Sequence, residues 1–84
     1  MTQPADISPE QRSAERAVLF QLLDDEHDPR WSRAELVAAL GDPEPAIAMA
    51  LAHLQEHGVA LGEGDAILAS PCARRLDALW VITI

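Results

Sequence analysis

Histidine and cysteine are the residue types in this chain whose spacing could support metal or nucleophile chemistry. His53 and His57 are four residues apart, and on a helix this spacing lets two imidazoles bind one metal ion. A third ligand would have to come from Glu56 or from a distant part of the chain. Because paired histidines near a helix end are common on protein surfaces, we predict that the chain binds no metal.

Cys72 is the single cysteine of the chain. It comes shortly after Ser70 and Pro71, which are typical of a helix start, and a helix N-terminus can activate a thiol. A lone thiol forms neither an internal disulfide nor a thiolate cluster, and we interpret Cys72 as an inert small residue. The sequence also has no glycine-rich phosphate loop, nucleophile elbow or Ser/His/Asp ordering. We therefore predict neither catalysis nor a bound cofactor.

Charge and length limit the classes of protein to which the chain can belong. Its 84 residues are 49% hydrophobic, which predicts one small domain, and fourteen acidic residues against six arginines give a net charge of −8. Nucleic-acid binding depends on cations, so this charge disfavours it. The sequence contains no apolar run of about 18 residues and no basic start followed by an apolar stretch. We expect a cytoplasmic protein without a membrane segment.

The first helix is expected at residues 9–24, following Ser8 as its cap. Its main apolar stripe consists of Ala14, Val18 and Leu22. Leu19, Phe20 and Leu23 extend the apolar arc beyond the roughly 100° that a surface helix needs. Either a small domain wraps around this helix, or one side of the helix packs on a second subunit.

Two short helices joined by a tight turn are predicted next, and the rest of the chain is organised around them. Ser32 and Glu35 have the spacing of a capping box at the start of the first one. Gly41 ends it where a left-handed residue is needed. Asp42 then provides an acceptor at the cap of the next helix, with Pro43 at its first helical position.

The apolar spacing of that next helix predicts which of its faces is buried. Ile47, Leu51 and Leu54 recur at intervals of four and three residues, and Ala50 lies on the same face. Gly58 ends the helix.

A hairpin and a last helix complete the predicted elements. Residues 59–61 and 66–69 are expected to be its strands, joined by a glycine-containing turn at 62–65. Trp31 is either a hydrophobic staple or a short additional strand. Ser70 starts the last helix, whose apolar residues are Ala73, Leu76, Ala78, Leu79 and Trp80.

The stretch Ala-Leu-Ala-His-Leu-Gln-Glu-His-Gly-Val at residues 50–59, together with the capped helix before it and the hairpin after it, resembles the winged-helix superfamily. It is similar to small bacterial winged-helix transcription regulators, and the resemblance covers residues 9–80. It implies a mainly α (α+β) winged helix-turn-helix: a three-helix core, a short two-stranded wing and a C-terminal helix. We expect a flexible tail at 1–7 and a single winged-helix domain at 8–84.

In DNA-binding members of the superfamily, the second helix of the motif enters the major groove with polar and basic side chains. The matching recognition-helix positions here are Glu44, Pro45, Ala48, Met49, Ala52 and His53. None of them is Arg or Lys, and the wing carries Glu63 and Asp65, which would face phosphates. Arg30 and Arg33 are the residues placed to contact a phosphate.

The sequence therefore predicts a winged-helix module that works as a protein–protein interaction or dimerisation unit, and we expect a homodimer. The residues predicted to form the dimer interface are Leu19, Phe20, Leu23, Trp80, Val81, Ile82 and Ile84. The alternative is a dimeric DNA-binding transcriptional regulator. In that case Arg30, Arg33, Arg74 and Arg75 would contact the DNA.

Overall fold

The structure, a computed structural model, describes residues 8–79. Its elements in chain order are α1 (Pro9–Leu22), α2 (Arg33–Leu40), α3 (Glu44–Glu56), β1 (Ala60–Glu63), β2 (Ala66–Ala69) and α4 (Pro71–Ala78). This confirms the predicted fold class, a mainly α winged helix-turn-helix with a two-stranded wing and a C-terminal helix. The predicted tail at 1–7 and residues 80–84 lie outside the described residues.

Helix α1 begins where predicted and ends two residues earlier. The Ser8 hydroxyl accepts a hydrogen bond from the Gln11 backbone N–H at 3.1 Å. The helix ends at Leu22 with Leu23 as its C-cap, whereas the apolar spacing predicted residue 24. Acidic residues follow directly, and carboxylates near a helix C-terminus oppose the helix dipole, so electrostatics ends the helix before its apolar pattern stops.

The capping box and the turn of the helix-turn-helix are confirmed. The Ser32 hydroxyl accepts from the Glu35 N–H at 3.0 Å, and the Glu35 carboxylate accepts from the Ser32 N–H at 2.8 Å. Gly41 ends α2 with φ 73°, and its N–H donates to the Val37 carbonyl at 2.9 Å. A residue with a Cβ would be strained in this conformation.

The start of α3 differs from the prediction by one residue. Asp42 was expected at the cap, but Pro43 occupies that position and no side chain caps the helix. Pro45 lies at the second helical position and has no N–H, so one of the donors that a cap side chain satisfies is absent. The Pro43 carbonyl accepts from Ala46 and Ile47 instead, at 3.0 and 3.2 Å.

The core lies between the three helices and one face of the hairpin. Helix α3 packs most extensively on α1, and it also contacts α2 and β1. The largest fully buried side chains are Val18, Leu22, Leu36, Ile47 and Leu51. The apolar spacing of α3 predicted its buried face correctly, since Ala50 and Leu54 are buried as well.

The wing is a hairpin that pairs with a third, very short segment. Strands β1 and β2 are antiparallel, with Ala60 opposite Ala69 and Glu63 opposite Ala66. Trp31 exchanges backbone hydrogen bonds with Ile67 at 2.8 and 2.7 Å. Of the two interpretations of Trp31, the short additional strand is therefore the correct one.

Helix α4 is attached to the rest of the domain at few points. The Ser70 hydroxyl accepts from the Ala73 N–H at 3.1 Å, and Ala73 is the only buried residue of the helix. The Arg74 guanidinium donates to the Leu22 carbonyl at 3.4 Å, which places α4 against the end of α1. None of the helices formed by residues 8–79 is long and apolar enough to cross a membrane.

Replacing Leu51 by Ala should destabilise the domain severely. Leu51 is buried on the face of α3 that contacts the core, and removing a buried leucine side chain costs about 2–5 kcal/mol of unfolding free energy. That is a large share of the stability of a small domain. Urea unfolding followed by circular dichroism measures the loss.

Met49→Ala is the matched control, because Met49 lies on the same helix but is exposed. Its unfolding free energy should stay within about 0.5 kcal/mol of the unmodified chain. Equal unfolding midpoints for the Leu51→Ala variant and the unmodified chain would show that the position of Leu51 in the core is wrong.

Candidate interaction surface

The outward face of α3, where DNA-binding winged-helix proteins carry their reading residues, is small, apolar and acidic. Glu44, Pro45 and Ala52 are exposed, Ala48 is half-buried, and Met49 is 59% exposed. Methyl and thioether groups can contact a thymine methyl but cannot form the paired hydrogen bonds that identify guanine or adenine. This face therefore offers apolar contact area and a carboxylate.

His53, predicted on this outward face, lies instead against α1. Its Nδ1 is 2.7 Å from Gln11 Nε2 and 3.2 Å from Glu15 Oε2, and the Glu15 side chain is only 16% exposed. The helix rotates His53 towards α1 because its position is adjacent to the buried positions 50 and 54. Its polar groups are thus used within the domain.

His57 does not join His53 in a metal site. It is the exposed C-cap residue of α3, while His53 is engaged by α1. Within residues 8–79 no three His, Cys, Asp or Glu side chains are grouped so that they could hold a metal ion.

The wing folds its own carboxylate onto one of the two predicted phosphate-contacting arginines. Arg30 donates to Glu63 Oε1 from Nε at 3.0 Å and from Nη2 at 2.9 Å. Both side chains are exposed, so the pair adds little stability, but it neutralises the cation that was expected to meet a phosphate. Arg33 is exposed at the first position of α2, and Asp65 is exposed at the tip of the wing.

The sequence analysis did not identify His27, an ionisable residue that lies at the centre of several side-chain contacts. Its ring stacks on Trp31, with ring centroids 3.5 Å apart and planes inclined by 15°. Nδ1 donates to the Asp28 carbonyl at 2.5 Å, and Nε2 lies 3.2 Å from Glu35 Oε2. The hydrogen bond to Asp28, together with Glu35, raises the pKa of His27 above its ordinary value. The available signal was an imidazole between Glu26 and Asp28, four positions before Trp31.

Glu35 belongs to the same cluster, and its pKa is shifted in the opposite direction from that of His27. The Ser32 backbone N–H, and then the His27 side chain, lower the pKa of the Glu35 carboxyl. The capping residue of α2 is thereby linked to the imidazole that packs on Trp31.

The predicted dimer interface on α1 is partly used by the core of the domain. Leu23 is 6% exposed and belongs to the core, so its assignment to an intermolecular interface was wrong. Leu19 is half-buried and packs against the same core. Phe20 is half-buried, and the Arg16 guanidinium lies over its ring at 5.9 Å from the centroid. The remaining predicted interface residues, Trp80, Val81, Ile82 and Ile84, lie outside the described residues.

Helix α4 presents an exposed apolar edge. The sequence analysis placed its residues on the helix but did not predict that they are exposed. Leu76 is 40% exposed and Leu79 is 55% exposed. Both lie beyond Ala73 and Arg74, through which α4 contacts the rest of the domain. The described part of the chain leaves two further large apolar side chains exposed, Met49 on α3 and Leu61 on β1.

Comparison with known proteins yields a structural similarity and no sequence family. No family model matches the chain, and no curated protein matches it. The chain is similar to the structure of an O-methyltransferase family protein from Burkholderia thailandensis, at a TM-score of 0.58 and 25% identity. The similarity covers 89% of this chain and 24% of that one, so this chain spans about a quarter of the length of its neighbour.

The His27 cluster should make stability depend on pH. Because the folded-state pKa of His27 is raised, its contribution is fully present below about pH 6.5 and is lost as the pH rises through the folded-state value. The lowered pKa of Glu35 acts oppositely: its contribution is present above about pH 4.5 and is lost as the pH falls through the folded-state value. The difference in Tm between the unmodified chain and His27→Gln should therefore be largest between these limits.

Thermal unfolding followed by circular dichroism, from about pH 4 to about pH 8, measures this difference. His57→Gln is the control, because His57 is exposed on α3 and lies outside the cluster. Its pH profile should parallel that of the unmodified chain. A parallel profile for His27→Gln would contradict the assignment.

Proposed function

We propose that this chain is a non-catalytic winged-helix module that acts through protein contact, as a homodimer. The observation that carries the proposal is the apolar edge of α4. One residue of the helix, Ala73, is buried, while Leu76 and Leu79 remain exposed. Large apolar side chains grouped on a surface favour association with another protein surface.

A second copy is the partner that this edge suits best. Helix α4 is held against the end of α1 by the hydrogen bond from Arg74 to the Leu22 carbonyl. In a dimer with a two-fold axis, each copy contributes the same patch, so one apolar surface covers its own equivalent.

The charges on the motif support protein contact over DNA binding. Helix α3 contains no Arg or Lys, and the Arg30 guanidinium is bound by Glu63 of the wing. A DNA-binding protein draws most of its non-specific affinity from cations that displace counterions from phosphates. The two elements that would approach DNA here carry carboxylates and methyl groups.

The structural neighbour also supports a module role. That protein is named as a member of an O-methyltransferase family, and this chain corresponds to about a quarter of its length. A domain of this architecture therefore occurs as one portion of a longer chain, in a protein that is not named as a transcription regulator. We propose for this chain a role in assembly and no methyltransferase activity of its own.

The experiment is sedimentation of the full-length chain at tens of micromolar, compared with the Leu76→Ser/Leu79→Ser variant. We expect a dimer for the unmodified chain and a shift to monomer for the variant, with an unchanged circular dichroism spectrum. Leu61→Ser is the matched control, because Leu61 on the wing is as exposed as Leu76, at 40%. It should remain dimeric. A monomeric full-length chain would refute the proposal.

A mobility shift with random-sequence duplex DNA tests the alternative of a DNA-binding regulator. We expect binding weaker than the usual non-specific range of about 10⁻⁴–10⁻⁶ M at physiological salt. A submicromolar Kd that weakens steeply with salt would favour the alternative. Arg33→Ala should then reduce the affinity, because Arg33 is exposed at the start of α2.

A further inference from the structure

Strand β1 forms the open edge of the small sheet. The sheet consists of β1 and β2, and the other side of β2 is occupied by Trp31, which pairs with Ile67. Within residues 8–79, no segment pairs with the remaining side of β1. Leu61 and Gly62 of this strand are exposed, so its edge is accessible to another chain.

The pairing of Ile67 determines which backbone groups of β1 face outward. The N–H and the C=O of Ile67 both bond to Trp31, at 2.7 and 2.8 Å. Ile67 therefore forms no ladder hydrogen bonds with Gly62, the residue opposite it in β1. In such a non-hydrogen-bonded pair of an antiparallel ladder, the two residues direct their N–H and C=O groups away from each other. Gly62 accordingly presents one donor and one acceptor at the open edge.

The side chains of β1 add an apolar and an acidic contact beside this backbone. Alternate residues of a strand point to the same side, so Leu61 and Glu63 share one face of the hairpin. Leu61 is 40% exposed. Arg30 binds Oε1 of Glu63, which leaves Oε2 for a further cation, and Asp65 is exposed in the turn that follows. The hairpin, residues 60–69, contains no Arg or Lys.

We infer that the open edge of β1 binds an extended segment of another protein as an added antiparallel strand, and that this segment carries a basic and an apolar residue two positions apart. The N–H and C=O of Gly62 exchange both hydrogen bonds with one residue of the segment, as in the hydrogen-bonded pairs of an antiparallel sheet. The basic residue then lies opposite Glu63 and the apolar residue opposite Leu61. In strand addition the main-chain bonds supply affinity and the alternate side chains supply specificity.

Charge selects such a segment over a second copy of this chain. In an edge-to-edge pair of two β1 strands about a two-fold axis at Gly62, Leu61 of each copy lies opposite Glu63 of the other. The same pair brings the carboxylates of Glu63 and Asp65 from both copies into one short ladder, where like charges are destabilising. The net charge of −8 adds to this repulsion. The edge contact is therefore separate from the homodimer proposed through α4.

A labelled synthetic peptide, acetyl-Lys-Thr-Lys-Thr-Val-Thr-amide, tests strand addition on the full-length chain. In the antiparallel register its second lysine lies opposite Glu63, the next threonine opposite Gly62 and the valine opposite Leu61. Fluorescence anisotropy at low salt should show saturable binding at concentrations up to about 1 mM. The matched control peptide is N-methylated at the threonine opposite Gly62, which removes the bonding N–H and keeps every charge. It should bind at least about tenfold more weakly.

Two variants at position 62 test the same contact from the protein side. Gly62→Pro removes the outward N–H, and an edge strand tolerates proline where the N–H takes no part in the ladder. Gly62→Ala is its control, because it keeps the N–H and its Cβ meets only the side chain of Gln55, at 2.9 Å from Nε2. The proline variant should bind the peptide at least about tenfold more weakly than the alanine variant. If Gly62→Pro does not fold, as judged by circular dichroism, the N-methylated peptide carries the test.

The outcomes separate strand addition from the proposed homodimer. The Leu76→Ser/Leu79→Ser variant should bind the peptide as tightly as the unmodified chain, whatever its oligomeric state. Strand addition is refuted if the peptide does not bind, or if N-methylation or a folded Gly62→Pro leaves the affinity unchanged, since charge attraction alone would then explain the binding. It is also refuted if Gly62→Pro converts a dimeric chain to a monomer, because the edge would then hold a second copy. A monomeric full-length chain that binds the peptide refutes the homodimer and supports strand addition.

Discussion

The burial of the apolar face of α3 is the constraint on which the rest of the structure depends. Ile47 and Leu51 are completely or almost completely buried where α3 meets α1 and α2. In a domain of this size the hydrophobic core is small, so a few large side chains supply much of its stability. With α3 held in this way, its outward face and the start of the wing that follows it are fixed.

The outer surface of α3 and the wing carries carboxylates and apolar groups and contains no Arg or Lys. The wing carboxylate of Glu63 binds Arg30, so an exposed cation is neutralised at the position where a phosphate would approach. Methyl and thioether groups cover the outward side of α3, and leucines lie along the edge of α4.

A second constraint joins the acidic loop, the wing and the helix-turn-helix at one point. Trp31 pairs with Ile67 of the wing through its backbone, and His27 stacks on its ring. His27 also contacts Glu35, the residue that closes the capping box of α2. Contacts among neighbouring elements therefore join the acidic loop, α2 and the hairpin, and they place the His27 imidazole between Trp31 and Glu35.

The sequence by itself determined the elements whose signals are local. The capping box at Ser32, the left-handed Gly41 and the spacing of the α3 leucines each depend on residues within a few positions of one another. Such short-range rules predicted the winged-helix architecture and the buried face of α3. They also predicted that α3 would lack the cations of a DNA-reading helix, because that property follows from residue identity alone.

Tertiary structure decided which side chains are available for contact. Leu23 looked surplus on a helical wheel, but α1 ends at Leu22 and the chain turns Leu23 into the core. His53 looked exposed, but Gln11 and Glu15 on α1, about forty positions earlier in the chain, engage its ring. Arg30 and Glu63 are 33 positions apart, so no local pattern could pair them. Each of these outcomes depends on which elements meet in space, and that is set by the burial of the whole core.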